Sequence, residues 1–309
     1  INHYLINALC LANTDYKKIK VEAHYLSTIN LNLREISGTG LSCGVDSFAT
    51  YYDHLNSKPP FAIEYFTFFN VGSHGDFGGE NARRIFSERF GRVKTCANEL
   101  GKEIIKFDSN LSEVLRMNFQ QTHSLRSISC VLVIQKLFRN YYYASSIRFD
   151  QFKLDKIRIA EYDLINLQML STESTTLWSS ALQYTRPERL NFIADFALVS
   201  KYLDVCTNPY VVDRKKINCS RCDKCIRTML LLDFYDKLDR FHKVFDLEEY
   251  QEKRQDFVAH IRAKRNKETQ DYQLLNLLKT KGYINYKVKT RSAIFRVHSE
   301  LRKIKKVFK

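Results

Sequence analysis

Between residues 36 and 206 the chain alternates short apolar runs with longer stretches in which apolar side chains recur every three or four residues. The short runs suit buried strands and the longer period suits helices that cover them. Ile63–Asn70 (IEYFTFFN) is brief and aromatic, and reads as a strand running into a glycine-rich loop at Val71–Gly79. Asn81–Leu100 sets Ala82, Ile85, Phe86, Phe90, Val93 and Ala97 at helical steps, and Gly101 ends it as a C-terminal cap. Glu103–Phe107 is the next predicted strand. Ser124–Tyr143 reads as one helical run through Leu125, Ile128, Leu132, Gln135 and Phe138, and Ile157–Ala160 as a strand. Pro187 opens a helix, where its missing N–H costs nothing, and this helix extends to about Ser200. Later periodicity is helical, over Cys225–Leu238, Leu247–Lys264 and Gln270–Thr280. Strands alternating with helices predict an α/β fold with a parallel sheet covered on both faces.

Composition narrows the class. With 309 residues, 44% of them hydrophobic and 13% aromatic, the chain has ample material for a core and is not a disordered protein. It lacks any uncharged apolar run of about 18 residues, so no transmembrane segment is expected. Lys and Arg total 49 against 34 Asp and Glu, a net charge of +15, and the excess is concentrated. Residues 262–309 hold 15 basic and three acidic side chains, which leaves the rest of the chain close to neutral. The organisation expected is an N-terminal segment at 1–35, an α/β body at 36–235 and a helical basic extension at 236–309. The first of these begins at Ile1 without a Met and reads as the remainder of a longer chain.

Two constellations carry candidate chemistry. Ser42-Cys43-Gly44-Val45-Asp46-Ser47 falls between a predicted strand and a helix at Phe48–Leu55. Small residues at such a turn let backbone N–H groups approach a phosphate, and the helix N-terminus adds roughly half a positive charge. Ser42 and Ser47 offer hydroxyl donors; Asp46, an anion, would meet phosphate through Mg²⁺. An ordinary turn capped by Ser or Asp would look the same in isolation.

The second constellation is Cys219-x2-Cys222-x2-Cys225, preceded by Cys206. Three of the eight cysteines lie within seven residues, which points to a metal in a reducing, hence cytoplasmic, compartment more than to a secreted disulfide framework. Four thiolates from two segments suit tetrahedral Zn²⁺, and Arg221, Lys224 and Arg227 would offset their charge. Iron–sulfur ligation is the competing metal reading. Cys10, Cys96 and Cys130 read as inert core thiols.

Ser42–Ser47 resembles the S-G-G-x-D-S pyrophosphate loop of the adenine nucleotide alpha-hydrolase-like superfamily, with Cys43 where that pattern has Gly. A Cβ there would crowd a phosphate unless φ is negative. With the cysteine segment Asn218–Thr228, the resemblance extends over residues 36–232 and is closest to divergent members of the 7-cyano-7-deazaguanine synthase family. It implies a parallel-sheet PP-loop (HUP-type) domain with a four-cysteine zinc knuckle. It also implies ATP, Mg²⁺ and Zn²⁺ as cofactors, with Asp46 and Ser47 as catalytic residues and Ser42, Cys43, Gly44 and Val45 around the phosphates. The adenine would rest near Phe68–Asn70. The implied activity is adenylation of a small-molecule carboxylate, of the 7-deazaguanine type, followed by amide, nitrile or conjugate formation, with anti-phage defence as one setting. A tRNA-modifying enzyme of the same superfamily and a non-catalytic nucleotide-binding subunit are the alternatives.

His123, Arg126 and Arg186 are candidates to line a substrate pocket, and His123 and Arg186 fall at predicted helix starts, where ligands meet the edges of parallel sheets. An Arg fork there would suit a carboxylate or phosphate; surface arginines and a capping His are the plainer reading. Glu173, within Ser171–Ser174, would face the nucleotide or belong to an N-terminal capping box. Trp178 and Tyr141–Tyr143 read as packing residues. In the tail, Leu301, Ile304, Val307 and Phe308 share one helical face among basic neighbours. That face would meet an acidic protein partner or acceptor, a nucleic acid or an anionic membrane surface, or would pack on its own domain.

Overall fold

The computed structural model describes residues 1–206, 216–264 and 270–307, the side chains of residues 270, 300 and 302–307 excepted. It divides into two compact units, Ile1–Ile193 and Ala194–Lys309, so the boundary expected near residue 235 falls inside the second.

The first unit begins with α1 (Leu5–Ala12) and an extended segment, then builds β1 (Ser37–Gly40), α2 (Val45–Asp53), β2 (Ile63–Asn70), α3 (Glu80–Glu99), β3 (Glu103–Asp108), α4 (Leu111–Leu115), α5 (Phe119–Val133), β4 (Asn140–Ala144), α6 (Asp163–Leu170), β5 (Thr176–Ser180) and α7 (Arg186–Ile193). All five strands are parallel, in the order β3-β2-β1-β4-β5. The chain therefore lays down one half of the sheet outward from β1, then returns to lay down the other. Right-handed crossovers place α2 and α3 on one face and α5 and α6 on the opposite one. Packing agrees: Tyr51 of α2 meets Phe66, and Phe86 of α3 stacks on Phe68. Across the sheet, Ile128 and Val131 of α5 and Leu167 of α6 cluster with Tyr141 and Leu177. The order reverses between β1 and β4, where ligands bind in sheets of this kind.

Strand β1 (SGTG) has almost no side chain to offer, and its second position shows why. A Cβ on Gly38 would lie 2.3 Å from the Phe138 ring, which fills that space. Gly38→Ala is expected to destabilise the protein by about 1–3 kcal/mol, as overpacking does. Chemical denaturation should show a lower midpoint at unchanged slope.

Three elements depart from the sequence reading. The run Ser124–Tyr143 is not one helix: α5 ends at Val133 and Asn140–Ala144 becomes β4. No Gly or Pro marks the break, and Tyr141–Tyr143 owe their strand to the sheet slot between β1 and β5. Ile157–Ala160 is not a strand; it leads into a 3-10 turn at Ile159–Tyr162, and the fifth strand is Thr176–Ser180, whose mixed TLWSS pattern concealed it. The Pro187 helix stops at Ile193, and Ala197–Tyr202 forms a separate helix, α8.

The second unit is helical: α8, α9 (Asp223–Phe234), α10 (Leu247–Lys264), α11 (Gln270–Thr280) and α12 (Tyr286–Val307). Met229, Leu230, Phe241, Tyr250, Val258, Leu274, Leu278 and Val288 are buried in it. Among the described residues no helix is long and apolar enough to cross a membrane. Leu301 is exposed on α12, as are Val297 and Ile294, one and two turns earlier. The side chains of Ile304 and Val307, and Phe308 altogether, lie outside the described residues, so the expected apolar face is described only at Leu301.

Candidate functional site

The loop after β1 opens onto the point where strand order reverses. Ser42 is exposed, Cys43 is buried and Gly44 caps α2 with extended backbone (φ −82°). No side chain caps this nine-residue helix, so its first amides point into the crevice without a side-chain acceptor. The hydroxyls shape the loop: Ser47 Oγ donates to the Gly44 carbonyl (3.0 Å) and accepts from the Ser42 amide (3.3 Å), while Ser42 Oγ accepts from the Gly44 amide (3.3 Å). Cys43 has φ +56°, the left-handed region that glycine enters freely and other residues enter at a cost of about 1–3 kcal/mol. Cys43 thus occupies backbone that favours glycine, and its φ is positive, the case in which a Cβ was expected to crowd a phosphate.

Asp46 stands one residue into α2. Its Oδ2 accepts from Arg186 (3.0 Å) and its Oδ1 from Arg189 (3.0 Å). Burial would push this carboxyl up; the two guanidinium groups outweigh that and hold it below the ordinary carboxylate range. The expected Mg²⁺ does not fit here. A divalent cation on these oxygens would sit against two fixed positive charges, and the local balance of one Asp and two Arg is already positive. Arg186 is therefore brought beside the Ser42–Ser47 loop, where Asp46 pairs with it and with Arg189.

Arg189 was not singled out in the sequence. It lies one helical turn beyond Arg186, a spacing that places both on one face of α7 and could have revealed it. Its guanidinium is fully buried and donates to the carbonyls of Ser145, Ile147 and Ala181 as well as to Asp46.

The remaining candidates scatter. Phe68 faces α3, with its ring stacked on Phe86 (centroids 5.2 Å) beside His74. It is buried in the core beneath α3. Asn70 ends β2 and donates to Asp108 Oδ1 (2.7 Å), tying two strand ends together. Arg126 is buried, and its two terminal nitrogens donate to the carbonyls of Val71, Asp76 and Met117 and the Ser112 hydroxyl, so it braces these loops, while its Nε has no partner. His123 Nδ1 bonds the Tyr143 hydroxyl (2.6 Å); burial, then the nearby Arg126 charge, push it down to about 4, leaving it neutral. Glu173 precedes β5 and so lies at the opposite edge of the sheet from the loop, exposed. Neither reading of Ser171–Ser174 holds, because the Thr172 hydroxyl turns the chain into a strand by accepting from the Ser174 and Thr175 amides.

The cysteine constellation forms in the second unit. The sulfurs of Cys206, Cys219, Cys222 and Cys225 all lie within 4.8 Å of one another, with Cys219–Cys225 at 3.8 Å and Cys222–Cys225 at 3.4 Å. A tetrahedron with metal–sulfur bonds of 2.3 Å has edges of about 3.8 Å. These cysteines form no disulfide. Asn218, buried, locks the two segments together: its Oδ1 accepts from the Val205 and Cys206 amides, and its Nδ2 donates to the carbonyls of Leu203 and Val244. Ser220 takes the left-handed turn (φ +59°) between ligands. Arg227 pairs with Asp271 (2.6 Å) instead of the sulfurs. Crowding disfavours a lone thiolate: hydrogen bonding with Cys206, then burial, push Cys222 up to about 11. A divalent cation reverses that preference, so four thiols this close could hold a metal.

No family model matches the chain, and no curated protein matches it either.

Proposed function

We propose that the β1–α2 crevice binds ATP and transfers AMP to a carboxylate. The observation that carries this reading is an uncapped helix N-terminus, behind a loop of glycine-pattern shape, at the reversal of strand order and beside Arg186. A carboxylate oxygen attacks the α-phosphorus, the bond to the β-phosphate breaks and pyrophosphate leaves. An amine then attacks the acyl carbon, and AMP leaves with the carboxyl oxygen. The loop amides and the Arg186 guanidinium receive negative charge, and Asp46 with Arg189 holds Arg186 in place. Catalysis rests on positioning and charge neutralisation, and no general base is assigned. The resemblance to 7-cyano-7-deazaguanine synthases favours a 7-deazaguanine-type acid as the acyl substrate.

We infer further that the four cysteines hold one zinc ion. Their sulfurs leave room for a single tetrahedral ion and not for a multi-iron cluster.

A second reading, a nucleotide-binding subunit without turnover, is favoured by Cys43 and by an Asp46 occupied with arginines. One assay separates them: pyrophosphate release from ATP in the presence of candidate carboxylates. The enzyme reading expects release by the wild type, and Arg186→Gln should lower it by about tenfold or more, the loss of a charge-assisted contact. No release by the wild type, with release restored in Cys43→Gly, would establish the second reading; absence of ATP binding would end both.

A further inference from the structure

A recess at the far side of the first unit takes no part in the chemistry proposed above. All five strands are parallel, so the segment joining α2 to β2 reaches the edge where strands begin, opposite the Ser42–Ser47 loop. Tyr142 of β4 and Trp178 of β5 lie side by side in register. They point away from the Tyr141 and Leu177 cluster, onto the face that α2 covers. With His54, Lys58 and Phe61 from the segment after α2, they line a cavity of about 470 Å³, a volume usual for small-molecule sites. Trp178, expected as a packing residue, is 41% exposed and Phe61 is 53% exposed. Neither ring stacks on another aromatic ring among the described residues. One exposed aromatic needs no explanation, but two that wall the same cavity do.

Hydrogen bonds hold these walls in place. The buried Asn140 accepts the Trp178 indole N–H on Oδ1 (3.0 Å) and donates from Nδ2 to the Pro60 carbonyl (3.2 Å). Tyr142 donates its hydroxyl to the Phe61 carbonyl (3.1 Å), and the His54 ring stacks on Tyr142 (centroids 3.8 Å). The polar tips of Trp178 and Tyr142 are therefore used inside the protein, and what remains for a ligand is the face of a ring. Lys58 at the rim is exposed, and its ammonium has no ion-pair partner among the described residues. No acidic side chain lines the cavity among them either, and Asp53, next to His54 in the chain, is held by Gln183 and Tyr184.

These features select a class of ligand. A proline-rich peptide crossing an aromatic groove needs N–H or O–H donors for its carbonyls, and the two nearest are already taken. A flat heteroaromatic ring needs only faces to stack on, and a phosphate matches an unpaired ammonium. We propose that this recess is a second ligand site, for a nucleotide unit whose base stacks at Trp178 and Phe61 and whose phosphate meets Lys58. It is independent of the ATP reading of the β1–α2 crevice, which lies at the other edge of the sheet.

Trp178 is the only tryptophan in the chain, so its fluorescence reports on this recess. Titration of the full chain with uridine 5′-monophosphate, uridine, inorganic phosphate and a uridylate hexamer tests the proposal. The monophosphate should quench Trp178 saturably, uridine should bind about tenfold or more weakly, and inorganic phosphate should not quench. Phe61→Ala, at an exposed position, should weaken the monophosphate about tenfold or more, and Lys58→Gln should reduce it to the affinity of uridine. Arg186→Gln, in the crevice, should leave the quenching within about twofold. A hexamer that binds more tightly per nucleotide than the monophosphate assigns the site to single strands, and Lys58→Gln should then flatten the slope of log K against log salt by about 0.7. Equal or weaker binding per nucleotide assigns it to free nucleotides. The proposal is overturned if the monophosphate gives no saturable quenching, if uridine binds as tightly, or if Phe61→Ala and Lys58→Gln both bind like the wild type. It is equally overturned if Arg186→Gln abolishes the quenching, or if a polyproline peptide binds Trp178 more tightly than the nucleotides do.

Discussion

Cys222→Ser is expected to abolish stoichiometric metal and to melt the second unit. Serine keeps the shape of the side chain but supplies a hard, poorly ionised oxygen where a soft thiolate is needed. The three sulfurs left behind, Cys206, Cys219 and Cys225, are buried within 4.8 Å of each other, and the Asn218 hydrogen bonds alone would have to hold their two segments together. Structural zinc in finger peptides is worth about 10–16 kcal/mol, so its loss is comparable to the whole stability of an ordinary domain, about 5–15 kcal/mol. Elemental analysis should find about one zinc in the wild type and close to none in the variant, and thermal unfolding should show an early transition from residues 194–309. Iron in the purified wild type, or zinc retained at full occupancy by Cys222→Ser, would refute the assignment.

Arg189→Met is expected to cost about 3–5 kcal/mol, the range for breaking a buried ion pair from one side. Methionine fills much of the volume but leaves the carbonyls of Ser145, Ile147 and Ala181 without this donor, and Asp46 with one arginine. Arg189→Lys should recover only a small part, since one ammonium cannot copy a planar fork aimed at four oxygens. The urea midpoint measures this; a shift equivalent to less than about 1 kcal/mol would contradict the account. The pH dependence has a defined sign. Asp46 titrates below its ordinary value in the folded state, so the stability it contributes is present above that value and is lost as pH falls through the depressed one. Arg189→Met should therefore show a shallower acid-side loss than the wild type.

Much of this architecture was legible because local pattern and tertiary structure agreed. Ile63–Asn70, Leu247–Lys264 and Gln270–Thr280 occupy the bounds their periodicity defines. Cys206, Cys219, Cys222 and Cys225 converge as their spacing requires. Legibility failed where a long-range neighbour decided. Tyr141–Tyr143 continue a helical pattern yet pair with β1 and β5, and nothing local announces it. Arg126 and Arg186 are the same residue type, one two turns inside α5 and one at the start of α7, but loop carbonyls surround Arg126 while Asp46 pairs with Arg186.

The bracing by Arg126 bears on how this chain can vary in length. Three backbone carbonyls, from Val71, Asp76 and Met117, converge on one guanidinium, and Gly72 leaves only enough room for it: a Cβ there would lie 2.7 Å from Nη1. Insertions or deletions inside 71–76, or between Met117 and the start of α5, would move an acceptor off that hub. The exposed end of α3 near Glu99 carries no such tie to Arg126 and is where added residues should be tolerated. Chains that share this crevice should therefore keep the spacing of the first two segments while differing freely beyond them.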